Sequence, residues 1–146
     1  MTTNKINGGG SLLRDNKILT NQQVEILKKI DVCMLATASA KGVPHCTMVE
    51  PSRFENGRII IPVIQMVVSK QNVAENPNIF LHFYEVNPSD PLNSTQYKIS
   101  AVATLETQGK LFEEIKNYEE TERLPEGLKV SGIIVANLLE INKFVG

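Results

Sequence analysis

Asn56-Gly57-Arg58-Ile59-Ile60-Ile61-Pro62-Val63-Ile64 is the stretch on which the fold turns. Asn-Gly is a strong hairpin signal, because both residues tolerate the positive φ that a two-residue turn between antiparallel strands requires. The residues after it are apolar at odd and even positions alike, so they read as a strand buried on both faces. Upstream, residues 44–54 form a second extended run. Residues 32–37 form a third, with no helical period and with Ala40-Lys41-Gly42 as the tight turn between the two. Downstream, residues 79–84, 97–106 and 130–141 make the count six. Tyr97, Ile99, Ala101, Ala103 and Leu105 show the period of two that marks one inner face.

Three short helices interrupt these strands. Thr20 and Gln23 form a capping box ahead of Val24, Leu27 and Ile30, and Asp31 ends that helix. Residues 69–75 read as a helix capped by Ser69, with Pro77 after its end. Gly109 opens a charged amphipathic helix running to about Glu122, with Leu111, Phe112 and Ile115 inward. Residues 86–95, rich in Pro, Asn and Ser, read as a surface loop. Hairpin-linked strands broken by helices imply an antiparallel sheet closed into a small barrel. Residues 1–19, with Gly8-Gly9-Gly10 at their centre, read as a mobile arm in which Ser11-Leu12-Leu13 could dock on a neighbour. Residues 20–146 are the domain.

Composition narrows the function. The 146 residues carry a net charge of −1, which disfavours binding through phosphate neutralisation, and a chain without tryptophan is poorly equipped to stack bases. Nucleic acid is therefore not an expected partner. Cys33 and Cys46 are too few for a disulfide framework, and no Cys/His set has metal-binding spacing. The start of the chain does not read as a signal peptide, and no apolar run is long enough for a membrane span, so a cytoplasmic protein is expected. His45 and His82 lie far apart in sequence and form no recognisable catalytic pattern, and no catalytic residue is assigned. The acidic stretch from Glu113 to Glu126, interleaved with Lys110, Lys116 and Arg123, reads as a solvated helix face.

One segment has the physics of an anion site. At Gln65-Met66-Val67-Val68-Ser69-Lys70-Gln71-Asn72 a buried strand stops and a helix opens, and free N–H groups at a helix start attract phosphate. Ser69 offers a hydroxyl, Lys70 a cation, and Gln65 or Asn72 an amide. The same residues equally allow a bland reading, in which Ser69 caps, Lys70 is solvated and Asn72 ties the turn. Cys33 and Cys46 lie on adjacent strands, and whether they share a face depends on register.

The order of these elements resembles a known family. Met34-Leu35-Ala36-Thr37, Gly42-Val43-Pro44-His45, the Asn56-Gly57 hairpin, Ser69-Lys70-Gln71-Asn72-Val73-Ala74-Glu75-Asn76-Pro77 and Gln108-Gly109-Lys110 follow one another as in the pyridoxamine 5′-phosphate oxidase-like, FMN-binding split-barrel family. Its small FMN-binding members are nearest. The resemblance runs from about residue 20 to residue 144. It implies a mainly β fold, a six-stranded antiparallel split barrel with short flanking helices, forming a homodimer with FMN at the interface. It further implies that Cys46, Thr47, Met48 and Val49 lie against the flavin ring. Gln65, Met66, Ser69, Lys70 and Asn72 would belong to the phosphate segment, and Phe144 would reach the partner's flavin. The implied role is electron transfer or flavin-dependent oxidoreduction, with the redox partner unspecified. The alternative is a binding or sensor module that has lost FMN and holds haem, a deazaflavin or a protein. Two departures stand out. Members of the family it resembles usually carry a basic residue at or just before the Ser/Thr position, whereas Val67 and Val68 precede Ser69 here and Lys70 follows it. After the arm the only arginines are Arg53, Arg58 and Arg123, unclustered, which argues against oxidation of vitamin B6 phosphates.

Overall fold

Thr20 opens the first helix as its chemistry dictates. Its Oγ1 accepts the Gln23 N–H at 3.1 Å, and Gln23 Oε1 accepts the Thr20 N–H at 2.8 Å. Helix α1 spans Asn21–Ile30 and ends at Asp31, whose φ of 73° breaks the helical path. Leu27 is buried, with Val24 and Ile30 half-buried on the same side, and Leu19, just before the cap, is sealed in the same core. The structure is a computed structural model that describes residues 11–13, 19–55 and 57–145. Gly8-Gly9-Gly10 and Asn56 fall outside the described residues.

The strands are β1 (Ser11–Leu13), β2 (Cys33–Ala38), β3 (Pro44–Val49), β4 (Arg53–Glu55), β5 (Arg58–Val63), β6 (Asn78–Glu85), β7 (Thr95–Glu106) and β8 (Gly132–Val145). Every pairing is antiparallel, in the order β3-β2-β6-β7-β8-β5-β4, with β1 added to the end of β8 opposite residues 141–143. The first and last strands of that order, β3 and β4, are separated in sequence only by Glu50, Pro51 and Ser52. That corner brings the two ends of the sheet together and makes the architecture a split barrel with flanking helices. The sequence reading makes 44–54 one strand; the structure divides it. Proline has no N–H for the ladder and a fixed φ, so Pro51 ends the pairing of β3 with β2, and Ser52 N already donates to Ile60 O on the other side at 2.8 Å. Six expected strands therefore become seven along the barrel, plus β1.

β5 behaves as its sequence demands. Ile59, Ile61 and Val63 face the barrel interior, while Ile60 faces outward. The outward side is covered by α3 (Lys110–Tyr118), which lays Phe112 and Ile115 on Ile60, Ile133 and Val135. The hairpin before β5 pairs Glu55 with Arg58, and Gly57 takes a φ of 79°, which a side chain would strain. A five-residue π-turn, Glu119–Arg123, follows α3, and a single-residue bulge at Leu139 lets β8 stay in step with β7.

Register also decides the cysteines. Cys33 lies opposite Val49 and is buried, whereas Cys46 lies opposite Ala36 and is exposed, so they occupy opposite faces and cannot pair. Burial pushes the Cys33 thiol up to about 12. The outer face of β3-β2-β6-β7 is unusual for a wet sheet surface. Cross-strand neighbours Met48, Met34 and His82 form one row and Cys46, Ala36 and Phe80 the next, with Tyr84, Gln96 and Phe144 beyond. No helix among the described residues belongs to this side.

Candidate functional site

The site forms where β5 stops. Gln65 takes a left-handed φ of 56°, uncommon for a residue with a side chain and a mark of local constraint. This turn sends the chain into helix α2 (Val67–Glu75). The helix starts two residues before Ser69, so Ser69 is not its cap. Met66 occupies that position and has no oxygen with which to accept, and no side chain among the described residues caps α2. The first helical bond is Lys70 N to Met66 O at 2.9 Å, which leaves the N–H groups of Val67, Val68 and Ser69 without helical partners.

Ser69 sits instead inside the first turn, 1% exposed, and its hydroxyl is the one buried side-chain polar atom without a hydrogen-bond partner among the described residues. Such a group is destabilising by roughly 1–3 kcal/mol when left unpaired. Asn72, one turn later, is also buried, and its Nδ2 donates to Thr37 Oγ1 at 3.0 Å, tying α2 to β2. Lys70 is half-buried and its ammonium donates to Ser131 O at 3.3 Å across the groove.

Two clefts meet at Gln65 and Met66. The first, about 570 Å³, lies between Thr47, Met48 and Val49 on one side and Glu119, Arg123 and Leu124 on the other, with Glu50 at the corner. The second, about 460 Å³, runs along α2 past Val67 and Lys70 to Leu105 and Ser131. Both sizes suit small-molecule sites, which span roughly 300–1,000 Å³. Of the ten residues singled out in the sequence, Thr47, Met48, Val49, Gln65 and Met66 line the first cleft, and Gln65, Met66 and Lys70 the second. Ser69 and Asn72 lie behind the wall. Cys46 points to the open outer face. Phe144 lines neither cleft; it pairs with Gln96 and carries the Lys98 ammonium 4.9 Å above its ring.

Sequence reasoning misses the far wall of the first cleft. Glu119 is not on a solvated face. It is 2% exposed and accepts Ser52 Oγ–H at 2.8 Å and an Arg123 N–H at 3.5 Å, while Arg123 also pairs with Glu50. Glu120 is likewise engaged, by Lys116 at 2.5 Å and by the Val130 N–H at 2.7 Å; these bonds, Lys116 first, hold its carboxyl below the usual range. A signal for Glu119 exists in the periodicity, since it follows Phe112 by seven residues and Ile115 by four and so continues the buried face. His82 is a hydrogen-bonded strand residue, with Nε2 2.9 Å from Gln96 Oε1. The described residues contain no cluster of three His, Cys, Asp or Glu able to hold a metal ion, and no helix long and apolar enough to cross a membrane.

The family model for pyridoxamine 5′-phosphate oxidase matches residues 19–141. Among curated protein sequences none matches. Solved structures resemble the chain at low identity. HupZ of Group A Streptococcus is 18% identical, with a TM-score of 0.70 over 85% of this chain and 92% of that one. An FMN-binding protein of Syntrophomonas wolfei is 13% identical, with a TM-score of 0.64 over 80% and 84%. HutZ, the haem storage protein of Vibrio cholerae, is 16% identical, with a TM-score of 0.60 over 83% and 89%. These likenesses establish the shared fold.

Proposed function

The chain belongs to the pyridoxamine 5′-phosphate oxidase family, and on that premise we propose that it is a homodimeric flavoprotein that binds FMN without a covalent bond and serves electron transfer or flavin-dependent oxidoreduction. The observation that carries this reading is the joint between the two clefts. A left-handed Gln65 leads into a helix start that no side chain caps, with the Lys70 ammonium beside it and the Ser69 hydroxyl unpaired just behind the cleft wall. Free N–H groups, a positive dipole end and one cation form a phosphate-sized anion site. The donor set therefore fits the group, although its cation follows the serine rather than preceding it.

In this reading the phosphate belongs in the second cleft, at Lys70 and the first turn of α2, and the ring in the first cleft. Val49 and Met48 offer the ring apolar contact, and the Gln65–Met66 joint orients the chain between ring and phosphate. The flavin, when bound, accepts and returns electrons singly or as hydride, and the protein supplies position and a partly dry wall. No side chain in the clefts is assigned as an acid or base. The uncovered outer face, where Met34, Met48, Phe80 and Tyr84 are exposed, supports a second copy as partner, because contiguous exposed apolar patches mark interaction sites.

Purification without added flavin, followed by a visible spectrum, an FMN titration and native mass spectrometry, tests the reading. A yellow dimer carrying two FMN molecules is expected. A colourless chain that takes up no FMN on titration overturns it. One observation favours a second reading, a haem-binding or sensor module: His82 and Met34 are cross-strand neighbours on the outer face and are residue types that ligate haem iron. That reading expects a Soret band on haem addition that His82→Ala removes, and a flat titration rules it out.

A further inference from the structure

The far wall of the first cleft carries charges that phosphate binding does not use. Glu119 lies in the π-turn after α3, a helical irregularity often found at functional sites. Its carboxylate is nearly sealed from water and is held from two sides, by the Ser52 hydroxyl at 2.8 Å and by Arg123 at 3.5 Å. Arg123 spends its other terminal nitrogen on Glu50 at the β3–β4 corner. All three side chains line the cleft with Thr47, Met48 and Val49. Two carboxylates thus share one guanidinium, and the wall carries a formal charge of −1. The second cleft has the opposite character, with Lys70 as its one charged lining residue.

We propose that Glu119, buttressed by Ser52 and Arg123, holds down the reduction potential of a flavin whose ring lies in the first cleft; this inference rests on the FMN reading above. Reduction by two electrons with uptake of one proton leaves the ring one unit more negative than before. A wall that is already negative disfavours that added charge. Its effect is felt because a nearly sealed carboxylate is little screened by solvent or salt. The same wall sets ligand polarity, since an anionic phosphate is repelled here and drawn toward Lys70. Glu119 acts in this account as a tuning residue, and it exchanges no proton with the ring.

The test uses the full chain loaded with FMN and titrated with dithionite against a reference dye, together with dissociation constants for oxidised and reduced FMN. Glu119→Gln is nearly isosteric and can still accept from Ser52. It should raise the potential and tighten reduced FMN relative to oxidised FMN by on the order of tenfold. Glu50→Gln, on a half-exposed side chain, should move both quantities the same way by less. Arg123→Gln should move them the opposite way. A merely structural wall would change both dissociation constants together, with no reversal of sign. Unchanged potentials in Glu119→Gln and Glu50→Gln, or a rise in Arg123→Gln, overturn the inference while leaving FMN binding intact. Because Glu50 is not buried, its variant keeps the test available if Glu119→Gln fails to fold. A wild-type chain that takes up no FMN overturns the flavin reading and this inference with it.

Discussion

Helices α1 and α2 have nearly the same length, yet they begin in opposite ways. α1 closes its own start: Thr20 and Gln23 satisfy each other's backbone, and a leucine before the cap anchors the entry. α2 leaves its start open behind a methionine and buries polar groups, Ser69 and Asn72, where α1 buries leucine. A helix that satisfies itself serves the fold alone. A helix that leaves donors free has them available to a ligand, and the proposed FMN site places the phosphate beside them.

The seating of α2 is most sensitive at Asn72. Asn72→Ala leaves Thr37 Oγ1 buried without its donor and should destabilise the chain by about 1–3 kcal/mol, read from the urea midpoint at unchanged slope. A near-neutral result would mean that α2 is not held to β2 through this bond. Lys70→Ala comes next. It should leave stability within about 0.5 kcal/mol while weakening FMN by roughly tenfold, as expected for a lost charge-assisted bond to phosphate. Riboflavin, which lacks the phosphate, should be unaffected, and equal losses for both ligands would make Lys70 a surface residue. Thr20→Ala should lower stability by about 1 kcal/mol through the lost cap, with FMN affinity unmoved, because α1 has no part in the site. Ser69→Ala should have the smallest effect and the opposite sign. Without ligand it should stabilise the chain by about 0.5–1 kcal/mol, by removing an unpaired buried hydroxyl and adding helix propensity, with FMN affinity little changed because the hydroxyl lies behind the cleft wall. Destabilisation there would show that the hydroxyl already has a partner.

The contrast between the helices also explains what could be read in advance. The Thr20 box is a matter of residues three apart, so its sequence pattern and its geometry coincide. The two-faced burial of β5 and the turn at Gly57 were legible for the same reason. At α2 the local signal misled. The expected start rested on Ser69 as a favoured cap residue, and the β-branched Val67 and Val68 ahead of it have a weak preference against helix. Tertiary packing overrides that weak preference, because burying Val73 and tying Asn72 to Thr37 fixes the helix axis from its far end. The division of residues 44–54 had a visible cause in Pro51, but which strands the two halves would join depends on pairings distant in sequence. Glu119 was hidden because a stretch rich in acids and bases looks solvated unless each position is placed on the helix face.

The sequence by itself determined the strand-rich barrel, the first helix with its cap and the hairpin at Gly57, and it marked the segment from Gln65 to Lys70 as a candidate anion site. These depend on periodicity, on turn chemistry and on groups a few residues apart. Only the tertiary structure decided that Ser69 is walled in, that Cys33 and Cys46 face opposite ways, and that Glu50, Glu119 and Arg123 form one wall opposite Thr47 and Met48. Those outcomes depend on strand register and on contacts between residues about 70 positions apart in the chain, such as the one between Ser52 and Glu119. A one-residue slip in pairing sends a side chain to the other face of the sheet, and nothing local in the sequence prevents that slip.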